Sequence, residues 1–234
     1  MSWHTGRMCG FDLETTGVDV EADRIVTATV VQCGGGQPTV PANWLANPGV
    51  EIPEGAAAVH GITTAQARAE GKPAPEVVAD ILAALGQVIA SGVPLVAMNG
   101  RYDFTLLDRE AARYGLPPLP AGPIIDPLVL DKQIDRYRRG KRTLTALCDH
   151  YEVPLGAAHT SDADAIAACR VAWRIGTRYD RLAAMTLPEL HEAQIGWAAE
   201  QAASLQEYLR KTDANAYCAP EWPLIPRQQN GETR

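Results

Sequence analysis

The sequence predicts an α/β fold: a mixed five-stranded sheet flanked by helices, extended at its C-terminal end by one further long helix. Two observations carry this reading. Residues 8–45 hold three apolar or β-branched runs separated by turn residues, the pattern of a meander, whereas residues 94–179 alternate short apolar runs with helical periodicities, which implies parallel pairing. Composition agrees, because 46% hydrophobic and 21% charged residues in 234 lie near the ~45–50% and ~25% of ordinary globular domains.

The first strand is Met8-Cys-Gly-Phe-Asp-Leu-Glu, with an apolar entry and a Thr-Thr-Gly exit at Gly17. Residues 25–32 are β-branched and form the second strand, Gly34, Gly35 and Gly36 turn the chain, and residues 38–45 make the third. Residues 46–72 are expected as loop and short helix. Val78, Ile81, Leu82, Leu85, Val88 and Ile89 recur at helical spacing up to Gly92. A short buried strand at 94–98 then leads into a helix over 102–114, and Ile124-Ile-Asp-Pro127 is a strand tip entering another helix. Helices over 144–151, 162–179 and 187–209 complete the set, and the tail at 217–226 is too rich in proline to be regular. The expected division is a domain over 1–182, with 183–234 a helix and tail packed on it or extending it.

No apolar run approaches the ~20 residues of a membrane span, and the N-terminus lacks an apolar signal core, so no membrane role and a cytoplasmic location are expected. Five cysteines without a Cys-x-x-Cys pair argue against a disulfide framework and against structural zinc. A net charge of −7 argues against nonspecific coating of duplex, which needs many Lys and Arg contacts to phosphate.

The chemistry is carried by acids. Asp12 and Glu14 stand two apart on a strand and therefore point to one face. Two carboxylates ~4 Å apart at an effective dielectric of ~20 repel by roughly 4 kcal/mol, and a divalent cation is the usual means of offsetting this. Asp103 follows a buried strand and Asn99 near a helix start, where an acid also suits the helix dipole. Asp164 opens a late helix in His159-Thr-Ser-Asp-Ala-Asp164, where Ser161 and Asp164 also fit a capping box. Hard oxygen donors without cysteine suit Mg²⁺ or Mn²⁺, without choosing between them.

This order of motifs resembles the DEDDh family of 3′→5′ exonucleases, the DnaQ-like group that includes the proofreading subunit of bacterial replicative polymerase, RNase T and oligoribonuclease. The resemblance covers roughly residues 8–180. It is strengthened by Phe11-Asp-Leu-Glu-Thr-Thr-Gly17, by His60-Gly-Ile-Thr63, and by Ile125-Asp126 followed by Gly140-Lys-Arg-Thr-Leu-Thr-Ala-Leu-Cys-Asp-His-Tyr-Glu152, which is especially similar to the proofreading subunit. It implies an RNase H-like fold, two divalent cations on Asp12, Glu14, Asp103 and Asp164, and His159 as general base. Departures fall at Met98, where many members place His before Asn, and at Gly100-Arg-Tyr102, where a small residue and Phe are common before the Asp. These touch substrate positioning rather than metal chemistry.

Other positions carry two readings. Thr15, Thr16 and Gly17 match family contacts to the terminal sugar, or form a plain turn. His60 lines the terminal nucleotide's pocket or stabilises its loop, and Asn99 belongs to the same substrate-binding set. Arg139, Lys141 and Arg142, in a dense basic stretch from Lys132, grip the backbone of an incoming single strand or form a solvated loop. Asp126 is an acid behind the metal ligands or an ordinary N-cap before Pro127. The expected partner is single-stranded DNA or a 3′ end, with RNA as the near alternative. A polymerase or a second copy is the expected occupant if the C-terminal helix is an interface. A catalytically silent nucleic-acid-binding module is the alternative from another class, and the presence of all five family residues argues against it.

Overall fold

The computed structural model describes residues 2–155 and 161–227. Its strands are β1 (Arg7–Thr15), β2 (Ile25–Gly34), β3 (Val40–Asn47), β4 (Lys72–Pro73), β5 (Leu95–Val96) and β6 (Ile124–Ile125). They form one six-stranded sheet in the order β4-β3-β2-β1-β5-β6. The first three are an antiparallel meander, and β5 and β6 add parallel to β1. This is the mixed sheet that the sequence implies, with one strand more than the expected five. The addition is a two-residue bridge, Ala46 to Lys72 and Asn47 to Pro73, at the edge beside β3. Residues 46–72 hold two helices, α1 (Glu54–His60) and α2 (Thr64–Glu70), the second capped by the Thr63 hydroxyl.

Alternation along β1 decides what covers each face. Cys9, Phe11 and Leu13 enter a core with Val78, Ile81 and Leu85 of α3 (Ala74–Ala90) and Phe104 and Leu107 of α4 (Arg101–Arg113). Met8 points the other way. It joins Leu147 of α6 (Leu144–Tyr151), Leu130 of α5 (Pro127–Ile134), and Ala168, Val171 and Ile175 of α7 (Ser161–Arg178). Gly10, Asp12 and Glu14 share the face of Met8, because side chains two apart on a strand point the same way.

Helix α7 crosses that face over β1 and β2, and Gly10 sets how closely. A β-carbon on Gly10 would lie 2.5 Å from the carbonyl oxygen of Ala165, well inside contact distance. The absence of a side chain lets the first turns of α7 rest on the strand beside Asp12. A polar bracket on the same face fixes the helix laterally. Asp12 stands opposite Thr29 and Thr29 opposite Asn43 in the sheet. Asp162, in the first turn of α7, accepts hydrogen bonds from the Thr29 hydroxyl and the Asn43 amide, both at 3.0 Å.

After α8 (Asp180–Ala183), α9 (Leu187–Leu209) begins with a complete capping box between Thr186 and Glu189. Its Gln194 is fully buried. The Gln194 amide donates to the Ile124 carbonyl at 2.9 Å, and its oxygen accepts from the Asp126 N–H at 2.7 Å, which docks the helix on β6. The chain then returns across α4: Arg109 donates to the Ile225 carbonyl at 2.9 Å, the Ile225 N–H donates to Thr105 at 3.1 Å, and Trp222 is buried.

Gly10→Ala should lower stability by about 1–3 kcal/mol, the usual cost of overpacking a filled interface. Gly86→Ala is the control: Gly86 lies within α3 with open space where a β-carbon would stand, so it should stabilise by roughly 0.5–1 kcal/mol. Urea unfolding of both variants measures the contrast, and equal stabilities would refute the close approach as a constraint.

Candidate active site

The parallel strands direct the C-terminal ends of β1, β5 and β6 to one edge of the sheet, and the acids gather there. Asp12 and Glu14 end β1. Asp103 lies in the first turn of α4 and is buried, with its Oδ1 accepting the Leu13 N–H at 3.1 Å, so a side chain from one helix is fixed to the strand between the other two acids. Asp164 arrives on the first turn of α7. Burial pushes the Asp12 carboxyl well above the usual carboxylate range, and the charges of Asp103, Glu14 and Asp164 push it further. Asp103 is raised too, by burial first and by Asp126 and Glu14, although the Leu13 N–H pulls in the opposite direction. The structure thus brings four of the five expected chemical residues together. His159 lies outside the described residues.

The donor set fits hard divalent cations: carboxylate oxygens only, buried enough to repel strongly, with no thiolate among them. Among the described residues, no three His, Cys, Asp or Glu side chains stand close enough to grip an ion as placed. Asp12, Glu14, Asp103 and Asp164 are the side chains that would hold an ion.

Asp126 organises the neighbouring turn. Almost wholly buried, it accepts the N–H groups of Asn99 and Gly100, both at 3.0 Å, and of Leu128 at 2.9 Å, and the Trp222 indole N–H at 3.4 Å. Its two sequence readings describe one carboxylate: it caps α5, and it also holds the turn that launches α4 and Asp103. Asn99 needs that support, since its φ of 60° is left-handed. Burial raises the Asp126 carboxyl, with the Asn99, Leu128, Trp222 and Gly100 donors opposing.

The loop after β1 is internally bonded. The Thr15 and Tyr102 hydroxyls, 2.8 Å apart, both donate to the Gly17 carbonyl, at 2.6 and 2.5 Å. The Thr16 hydroxyl is buried, donating to Asp23 at 2.6 Å and accepting the Arg24 N–H at 3.0 Å. Tyr102, whose departure from Phe marked it in the sequence without giving it a role, stands beside the acids; burial raises its hydroxyl to about 12, so it remains a donor. His60 ends α1, and its Nδ1 accepts the Ile62 N–H at 3.1 Å. Burial lowers its pKa, partly opposed by the Thr15 backbone, and its buried Nε2 has no aligned partner.

The basic stretch divides. Arg142 and Arg138 both pair with the fully buried Asp131, which also accepts the Tyr151 hydroxyl at 2.9 Å. Arg142 is therefore part of a buried knot rather than a solvent-facing grip. Arg139 and Lys141 are exposed between the two anchoring arginines.

A nest of acids at one end of a mixed α/β sheet is chemistry suited to hydrolysing phosphodiesters. The RNase T exonuclease family model matches residues 9–172, and the chain belongs to this family of exonucleases. It is similar to the PolC-type DNA polymerase III of Oceanobacillus iheyensis, with 29% identity over 168 residues, 72% of this chain and 11% of that one. Its fold is that of E. coli exonuclease I solved with a dA16 oligonucleotide, at a TM-score of 0.65 and 21% identity over 76% of this chain and 42% of that one. The exonuclease I complex with SSB-Ct matches at 0.63 and 18% identity, covering 86% and 46%. The chain thus spans about a tenth of the polymerase and less than half of exonuclease I.

Raised carboxyls give a definite pH signature. Their folded-state pKa lies above the unfolded value of about 4, so their contribution to stability is complete below that value and is lost as pH rises through the raised one. Asp12→Asn should therefore stabilise the metal-free protein at about pH 8 and have little effect near about pH 4. A gain of about 1 kcal/mol would appear as a Tm rise of roughly 2–4 °C. Calorimetry across this range measures it, and a difference independent of pH would exclude Asp12 as a strained acid.

Proposed function

We propose that this chain is a metal-dependent 3′→5′ exonuclease that hydrolyses the terminal phosphodiester of single-stranded or frayed DNA and releases nucleoside 5′-monophosphates. The observation that carries the reading is the electrostatic convergence of Glu14, Asp103 and Asp164 on the half-buried Asp12. The oligonucleotide bound to exonuclease I, a protein of the same fold, supports DNA as the substrate class.

Asp12, Glu14, Asp103 and Asp164 would hold two Mg²⁺ or Mn²⁺ ions, which when bound supply Lewis acidity to the attacking and departing oxygens. The chain's own residues do the rest. His159, a few residues before Asp164 in sequence, would remove the proton of the attacking water, a task suited to a reference pKa of ~6.5. Tyr102 and Thr15 keep the Gly17 turn closed over the strand end, where Thr15, Thr16 and Gly17 present backbone to the terminal sugar. His60, beside the Thr15 backbone, would line the terminal nucleotide's pocket, and Asn99 stands exposed at the turn held by Asp126. Arg139 and Lys141 take the backbone of the incoming strand. Residues 183–234 act as a buttress for the 1–182 domain through Gln194 and Trp222.

Incubating 5′-labelled DNA and RNA oligomers with Mg²⁺, Mn²⁺ or EDTA tests the proposal. A DNA ladder shortening from the 3′ end, abolished by EDTA, is expected. Degradation of RNA alone would move the enzyme to the trimming branch, and binding without cleavage would indicate a silent module. His159→Ala should lower turnover by about 10²- to 10⁴-fold with metal binding retained. Neutralising Arg139 and Lys141 together should reduce the slope of log binding constant against log salt by about 1.4 for single strands. A slope that does not move would place the strand elsewhere.

A further inference from the structure

The helix that delivers Asp164 makes a second contact with the sheet, one turn further along, and it is made of sulfur. Cys33 of β2 stands opposite Met8, two residues before Gly10 on the face that α7 covers. Cys169 lies one turn beyond Ala165, the residue resting on Gly10, and so faces the sheet as Ala165 does. The two contacts are successive rungs of one seam. Cys33 and Cys169 are 9% and 1% exposed, and both line a cleft of about 430 Å³ together with Met8, Gly34, Arg170 and Trp173.

We propose that Cys33 and Cys169 are a peroxide-reactive thiol pair that closes to a reversible disulfide between β2 and α7. Cys169 beside it holds the Cys33 thiol below its ordinary range, and Arg7 and Arg170 act in the same direction against burial. Cys169 is raised, by Cys33 first and then by burial. Cys33 is the thiol that is lowered, whereas burial raises Cys9 to about 12 and Cys148 to about 11. Reactivity follows thiolate character and access, and the cleft supplies the access.

The chemistry balances with a hydroperoxide as oxidant. The Cys33 thiolate attacks one peroxide oxygen, the O–O bond breaks, and hydroxide leaves, giving a sulfenic acid. The Cys169 sulfur then attacks the Cys33 sulfur, its proton accompanies the departing oxygen as water, and the S–S bond forms. Two electrons pass from the two sulfurs to the peroxide, and a dithiol returns them. The product ties the helix bearing Asp164 to the sheet covalently.

The test uses the whole chain: treat it with hydrogen peroxide, block remaining thiols with iodoacetamide, and digest without reductant. The expected product is a linked peptide containing Cys33 and Cys169, lighter by two hydrogens, with loss of iodoacetamide labelling at both positions and recovery of both after dithiothreitol. The oxidised protein should also melt at a higher temperature. Cys169→Ser should leave Cys33 as a sulfenic acid that dimedone traps. Full labelling of Cys33 after peroxide, or a linkage through Cys9 or Cys148 instead, would overturn the proposal. The wild-type peptide map decides the matter even if the variant folds poorly.

Discussion

Mutual repulsion among acids that the fold refuses to separate governs the architecture around the end of β1. Asp103 is buried and Asp12 half-buried, the two interact, Glu14 shares their edge, and Asp164 adds its charge from the first turn of α7. Left to themselves such groups would pull the strand end, α4 and α7 apart. Each support described above opposes one of those movements. Gly10 admits α7, the Thr29, Asn43 and Asp162 bracket stops it sliding, and the Leu13 N–H holds Asp103 to the strand. Stability is thereby exchanged for a concentrated negative field of the kind a divalent cation would relieve.

Asp126 shows the same logic one step back from the acids. A single buried carboxylate receives donors from the turn before α4, from the first turn of α5 and from the C-terminal tail. Those segments are far apart in sequence and would otherwise be free to drift. Its own N–H is taken by Gln194, which ties α9 into the same junction. The tail and the last helix are therefore continuous with the ground on which Asp103 stands. The RNase T family match ends at residue 172, so these supports lie beyond the segment that defines the family.

Much of this was legible because β1 and β2 are apolar or β-branched runs bounded by turn residues, and because Asp12 and Glu14 interrupt the apolar run of β1. The crossovers were legible for a similar reason, since α3 and α7 are long enough to display their periodicity. Residues 46–72 were not, because two seven-residue helices and a two-residue bridge are too short to show any period. Arg142 read as one of a run of surface charges, and only the fold could bring it to Asp131. Gly10 carried a signal, as a glycine inside a strand marks a close approach, but what approaches it is a residue of α7 remote in sequence. The Thr29 to Asp162 bond and the Trp222 to Asp126 bond are likewise products of tertiary pairing, which local pattern does not encode.

The position of Trp222 bears on how the protein comes into being. A ribosome makes the chain from its N-terminus, so all four acids emerge before the indole that completes the donors around Asp126. A nascent chain thus carries its full load of self-repelling charge before its last brace has been translated. The acidic edge matures late, and shortening the chain before Trp222 would leave it in the condition of an unfinished translation product.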